Sequence, residues 1–214
     1  LMKVGFTLFL SHCRWHRGLS EKQWMQFGAA IKKIHSTDIP NALISGTQKE
    51  RFSSKWRETV KEFLMRIENE VFEEPVAVKM ALFLKYKSSE ILNLVERTEE
   101  LASTLQKQPL EYILCHADIH GWNLMIDKGG ALYIVDWDTL IFAPKERDLM
   151  FFGAGIWDNS RTATEEESLF YRGYGQTKIN QDAICYYRFE RIIQDLAEYC
   201  EYIFLSDEDG DDQM

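Results

Sequence analysis

Cysteine is scarce in this chain, and the four that occur, Cys13, Cys115, Cys185 and Cys200, include no Cys-x-x-Cys pair. That spacing offers neither a zinc ribbon nor a redox motif, and the thiols read as the reduced ones of a cytoplasmic protein. Basic residues are outnumbered: 25 Lys and Arg stand against 34 Asp and Glu, a formal net charge of −9. An acidic chain gives no electrostatic reason to bind nucleic acid or anionic membranes, and it suits a cationic small molecule better. Much of the excess lies in Asp207, Glu208, Asp209, Asp211 and Asp212, so 206–214 reads as a solvated, disordered tail. No apolar run reaches membrane-spanning length. The run over 4–10 is followed by His12, Arg14, His16 and Arg17 without a small-residue cleavage site, which argues against a signal peptide. Repeats and low-complexity segments are absent.

What the chain does have is core-forming material. Of its 214 residues 45% are apolar and 13% aromatic, enough to bury a core without metal or disulfide, with one domain as the default. Residues 5–10 read as a strand. Ser20 and Gln23 form a capping box that opens an amphipathic helix over 21–35. Residues 41–51 are polar and irregular. Trp56, Val60, Phe63, Leu64 and Ile67 then recur at helical spacing, Pro75 suits the first turn of another helix, and Ser88 or Ser89 is expected to cap a further one ending before Pro109.

The character then changes. Residues 112–115, 124–127 and 131–136 are short and β-rich, the last two joined by Lys128-Gly129-Gly130, which predicts a small hairpin and its neighbour. Helical pattern returns over 145–152, 164–174 and 180–205, the last with a cap at Asn180. The expected fold class is α+β, mostly helical, with the hairpin and its connecting loops set between helical blocks. Those loops hold the dense polar chemistry, as loops on a rigid scaffold commonly do.

His116-Ala117-Asp118-Ile119-His120-Gly121-Trp122-Asn123 follows one strand directly, and Ile134-Val135-Asp136-Trp137-Asp138 comes after. Phosphoryl transfer needs a carboxylate to orient the attacking hydroxyl and accept its proton, and oxygen ligands from two loops to hold magnesium against a triphosphate. Asp118 fits the first requirement; Asn123 and Asp136 fit the second. The competing view, that Asp and Asn merely end strands in turns, does not explain why three residue types fall in the order this chemistry needs. A metal-hydrolase site built on His116 and His120 lacks a further histidine cluster downstream. His116 is expected to brace the loop, and His120 to be a second brace or a partly exposed ring.

These segments resemble the aminoglycoside phosphotransferases and their relatives among choline, homoserine and methylthioribose kinases, whose catalytic loop is His-x-Asp-x-x-x-x-Asn. His116, Asp118 and Asn123 match that loop, and Asp136 matches the family's later metal-binding aspartate. Residues 115–120, 133–138, 143–151, 171–175 and 186–192 resemble the spectinomycin phosphotransferases of that family. The resemblance implies a protein-kinase-like large lobe using ATP and Mg2+, and a small polar acceptor such as an aminocyclitol antibiotic, with choline or homoserine as alternatives. It also implies that Phe9, Leu10 and Ser11 lie at the hinge that meets the nucleotide base. Residues 1–12 would then be the remnant strand and hinge of the nucleotide-binding lobe, 13–205 the large lobe and 206–214 the tail.

Two departures stand out. The family places glycine directly before the metal-binding asparagine, where this chain has Trp122; an indole lacks glycine's conformational range, so Asn123 is expected to be aimed differently. No phosphate-covering loop or strand lysine precedes the hinge, which keeps a catalytically silent remnant or binding module as the rival and predicts self-association through the uncovered lobe face. Asp138 is open between a second magnesium-site or substrate-side carboxylate and a helix cap. Glu146, Arg147 and Asp148 are open between contacts to a polyhydroxylated substrate and a helix-start charge cluster with an internal ion pair.

Overall fold

Ser20 starts the first helix as its capping box predicts: its hydroxyl accepts the Gln23 N–H at 3.3 Å while the Gln23 side chain accepts the Ser20 N–H at 3.0 Å. The structure is a computed structural model describing residues 14–15, 18–40, 44–154 and 161–205. The expected strand over 5–10, the hinge residues Phe9, Leu10 and Ser11, and the tail over 206–214 lie outside the described residues. The chain forms two compact units, Leu1–Glu50 with Pro109–Ile184, and Arg51–Gln108 with Cys185–Met214.

The first unit carries α1 (Glu21–His35) and two three-stranded sheets. In one sheet β1 (Arg14–Trp15) pairs antiparallel with β4 (Leu124–Ile126), which pairs antiparallel with β5 (Leu132–Ile134). In the other, β2 (Gln48–Lys49) runs parallel to β6 (Ile141–Ala143), and β6 runs antiparallel to β3 (Ile113–Cys115). The hairpin predicted across Lys128-Gly129-Gly130 is therefore present as β4 and β5, with Leu124 opposite Ile134. Its neighbour is not the strand at 113–115, which pairs with β6 instead. Neither β2 nor β6 was anticipated, because a strand of two or three residues has no room to show alternation. The helix expected over 145–152 shortens to α4 (Glu146–Leu149), and the next five residues continue as turn and bend.

Helix α5 (Ala163–Tyr174) begins at a second capping box, Thr162 with Glu165. It packs on α1 at backbone distance, because each helix offers a glycine at the crossing. A Cβ on Gly28 would lie 2.1 Å from the Phe170 carbonyl oxygen, and one on Gly173 would lie 1.9 Å from that of Met25. Around the crossing, Trp24, Phe27 and Ile31 are buried, and Phe27 meets Phe152 and Phe170 edge to face at 5.2 and 5.8 Å. Burying each large ring stabilises the unit by roughly 1.5–3 kcal/mol.

The second unit is helical. It comprises α2 (Lys55–Asn69), α3 (Pro75–Leu105) and the greater part of α6 (Gln181–Leu205), whose opening residues belong to the first unit. Val60, Phe63 and Ile67 of α2, Leu84, Ile91 and Val95 of α3, and Ile193, Ala197 and Cys200 of α6 share one core. Buried Arg57 and Glu190 form an ion pair beside it. The break expected at Ser88 or Ser89 does not occur: Leu84, Ile91 and Val95 continue one buried stripe past the two serines, and tertiary packing outweighs their weak helix preference. Pro75 does occupy the first turn, with the Glu74 carboxylate accepting the Ala77 N–H at 2.7 Å. Asn180 caps α6, accepting the N–H groups of Asp182 and Ala183 at 3.1 and 3.3 Å.

Candidate active site

Strand β3 ends at Cys115, and the chain turns at once into the loop that carries Asp118. Ala117 makes that turn with φ 70°, a left-handed conformation costing a non-glycine residue about 1–3 kcal/mol. The compensation is the fully buried Asp148 carboxylate of α4. Its Oδ2 accepts the His116 N–H at 3.0 Å and its Oδ1 accepts the Ala117 N–H at 2.7 Å. Oδ2 also accepts from His35 Nε2 at 2.9 Å, and His35 Nδ1 lies 2.8 Å from the Tyr174 hydroxyl. With Nε2 donating, Nδ1 accepts the hydroxyl proton, so a buried line of hydrogen bonds runs from α5 through α1 to the loop. Burial pushes the Tyr174 hydroxyl pKa well up, aided by nearby Tyr171, and keeps it a donor.

Cys115 lies against the same carboxylate. Burial, with Asp148 adding to it, raises its thiol pKa well above the ordinary value, which leaves it inert as a nucleophile. His35, Cys115 and Asp148 lie within metal-ligating reach of one another. The carboxylate and imidazole are already spent on hydrogen bonds and the thiol resists ionisation, so the trio serves packing.

His116 braces the loop from inside. Its Nε2 donates to the Val135 carbonyl at 3.0 Å, its Nδ1 accepts the Asp118 N–H at 3.4 Å, and its own carbonyl accepts the Thr139 hydroxyl at 2.7 Å. Trp137 covers the ring at a centroid distance of 4.7 Å. One imidazole thus ties the loop at 116–118 to the strand end that carries Asp136.

Asp118 is half-buried at the end of this turn. Asn123 Nδ2 lies 2.9 Å from the Asp118 carbonyl oxygen and 3.3 Å from its Oδ2, and His120 Nε2 lies 3.2 Å from the same Oδ2. Asn123 itself is buried and ends a 3-10 turn, Gly121–Asn123. The hairpin register brings the second loop alongside: Leu124 faces Ile134, so Asn123 faces Val135, whose N–H donates to the Asn123 carbonyl at 3.0 Å. Asp136 is the next residue, exposed, with φ 63°. Aspartate tolerates that conformation better than most residues.

Asn123 donates through Nδ2 and leaves Oδ1 without a hydrogen bond, and the Asp136 carboxylate has neither hydrogen bond nor ion pair among the described residues. Two hard oxygen donors from adjacent strand ends suit a magnesium ion. Trp122 does not need glycine's range, since it is absent from the positive-φ residues of the described chain, and its indole is 70% exposed. The expectation that it re-aims Asn123 loses its physical basis, because the turn uses only conformations open to any side chain.

The other expected site residues lie in the turn before β6 and on α4. Asp138 is exposed in a turn before β6, and no helix starts there for it to cap. Glu146 is buried, accepting the Asn180 N–H at 2.9 Å and pairing with Lys145 at 3.2 Å, so it anchors the start of α6. Arg147 beside it is half-buried. Sequence reasoning missed His35 and Tyr174, and gave Asp148 no role in holding the loop.

The model of the phosphotransferase enzyme family matches residues 14–178. The chain belongs to this family. Spectinomycin phosphotransferase, APH(9)-Ia, in complex with ADP and spectinomycin is 36% identical, with a TM-score of 0.80 over 87% of this chain and 56% of that one. The AMP-bound complex of the same enzyme gives 36% and 0.80 over 88% and 59%. The ethanolamine kinase of Plasmodium vivax, 18% identical with a TM-score of 0.54 over 89% and 57%, shares the fold alone. This member of the phosphotransferase family thus spans somewhat more than half the length of the spectinomycin phosphotransferase chains it matches. No curated protein matches it. None of its described helices is long and apolar enough to cross a membrane.

Proposed function

We propose that this chain carries the catalytic loop for Mg2+-dependent transfer of the ATP γ-phosphoryl group to a hydroxyl of a small polar acceptor, with an aminocyclitol such as spectinomycin as the leading candidate. The observation that carries the proposal is the interlock of Asp118 with Asn123 beside the Asp136 carboxylate, which has no partner among the described residues. Asp118 orients the acceptor hydroxyl and takes its proton as the acceptor oxygen bonds to the γ-phosphorus and the bond to the ADP oxygen breaks. Asn123 Oδ1 and the Asp136 carboxylate would hold magnesium, which when bound neutralises charge on the phosphates. The similarity to spectinomycin phosphotransferase supports the acceptor class, and the acidic balance of the chain favours an acceptor bearing ammonium groups.

The test is transfer from ATP to spectinomycin, an aminoglycoside panel, choline and homoserine, with Asp118→Asn beside the unmodified chain. Transfer reduced about 10²–10⁴-fold by the substitution supports the proposal. Absence of transfer to every acceptor, or transfer undiminished in Asp118→Asn, refutes it.

A further inference from the structure

We infer that His120 is a positioning residue that holds the Asp118 carboxylate at a fixed rotation, and that the main-chain N–H of Trp122 selects the tautomer in which it can do so. The inference rests on the phosphoryl-transfer reading above. His120 Nδ1 accepts the Trp122 N–H at 3.2 Å, which puts the ring proton on Nε2. Nε2 then faces Asp118 Oδ2 in an ion-pair contact at 3.2 Å, where both side chains are partly shielded, with 29% and 22% of their surface exposed. Asn123 Nδ2 approaches the same oxygen at 3.3 Å. His120 Nε2 and Asn123 Nδ2 are 3.4 Å apart, but both are donors in this tautomer, so they converge on Oδ2 and do not bond each other.

The consequence comes from the softness of the aspartate side chain. Its terminal torsion is broad and roughly two-fold, so a single donor leaves the carboxylate free to rock. The Asn123 amide on Oδ2, with His120 Nε2–H 3.2 Å from the same oxygen, holds it, and proton transfer needs the accepting carboxylate within hydrogen-bond reach of the hydroxyl at the moment of attack. Position 122 contributes through its main chain, which explains how tryptophan can stand where the family pattern has glycine.

The experiment measures kcat, acceptor KM and thermal midpoint for the full chain and for His120→Ala, His120→Gln, Asp118→Asn and the double variant His120→Ala with Asp118→Asn. A hydrogen bond to a charged group sets the expected effect: His120→Ala lowers kcat about 10- to 100-fold while KM and the thermal midpoint stay near those of the unmodified chain. Glutamine, whose amide N–H can replace Nε2–H, recovers most of kcat. In the Asp118→Asn background, His120→Ala adds nothing, because there is no carboxylate left to hold. His120→Ala with unmodified kcat, a loss confined to KM or to stability, or a glutamine variant as slow as alanine overturns the inference. If the unmodified chain transfers and Asp118→Asn abolishes transfer, those outcomes leave the parent reading standing; no transfer by the unmodified chain removes both.

Discussion

Replacing Asp148 tests whether the catalytic loop is held from beneath. The carboxylate has no exposed surface and accepts three hydrogen bonds, from His116 N–H at 3.0 Å, Ala117 N–H at 2.7 Å and His35 Nε2 at 2.9 Å. Alanine orphans both backbone donors, at about 1–3 kcal/mol each, so Asp148→Ala should destabilise the first unit by roughly 2–6 kcal/mol. Asparagine is gentler. Its oxygen can still serve one amide, and His35 can shift its proton to Nδ1, donate that to the Tyr174 hydroxyl, and accept from the new amide. One backbone donor is then lost, at about 1–3 kcal/mol. Because the chain forms two units, a global melt need not be two-state, and the local readout is hydrogen exchange at the His116 and Ala117 amides. Each orphaned donor should speed exchange there about 5- to 150-fold, with alanine exceeding asparagine. Unchanged exchange in Asp148→Ala would refute the reasoning, as would an asparagine variant as severe as alanine.

Other perturbations give separate checks. Gly173→Ala drives a Cβ to 1.9 Å from a main-chain oxygen of α1, which cannot step aside alone; calorimetry should show a loss of at least about 1–3 kcal/mol, and Gly28→Ala added to it should cost less than the sum, since the same helices have already parted. Glu190→Ala leaves the buried Arg57 guanidinium without its charge partner and should cost about 3–5 kcal/mol in urea unfolding, whereas Arg57→Met with Glu190→Met should recover most of that loss. In the hairpin turn, the Ala131 N–H, with the Tyr133 hydroxyl assisting, holds Asp127 below the usual aspartate pKa. The lowered folded-state value means its contribution is fully present above the unfolded pKa of about 3.9 and is lost as pH falls through the lower folded value. Hairpin amide shifts should therefore move with acid in the native chain, and Asp127→Asn should remove that dependence.

Much of the site was legible in sequence because it is local. His116, Asp118, His120 and Asn123 lie within eight residues, and the turn at Lys128-Gly129-Gly130 sets the register that brings Asp136 beside Asn123. The capped helices were legible for the same reason, since Ser20 with Gln23 and Asn180 with Ala183 are partners three residues apart. Failures came where tertiary packing decides. Ser88 and Ser89 look like a cap until the stripe of Leu84, Ile91 and Val95 is seen to need one uninterrupted helix. Strands β2 and β6 are too short for their alternation to register and exist because each finds a partner far along the chain.

The loop's support was hidden for a stronger reason. Asp148 reaches back 32 residues to His116 and 113 to His35, and His35 reaches forward 139 to Tyr174. In sequence His35 is the last residue of an amphipathic helix, a position where a basic side chain is ordinary, and Asp148 is one acid in a charged run. No local pattern separates a solvated aspartate from one that orients a catalytic loop, because the difference is burial, and the burial of Asp148 is set by partners far away in the chain. The residues that act on a phosphoryl group must therefore be sought near one another in sequence, but those that hold them in place are found by asking which buried carboxylate accepts the amides of the turn.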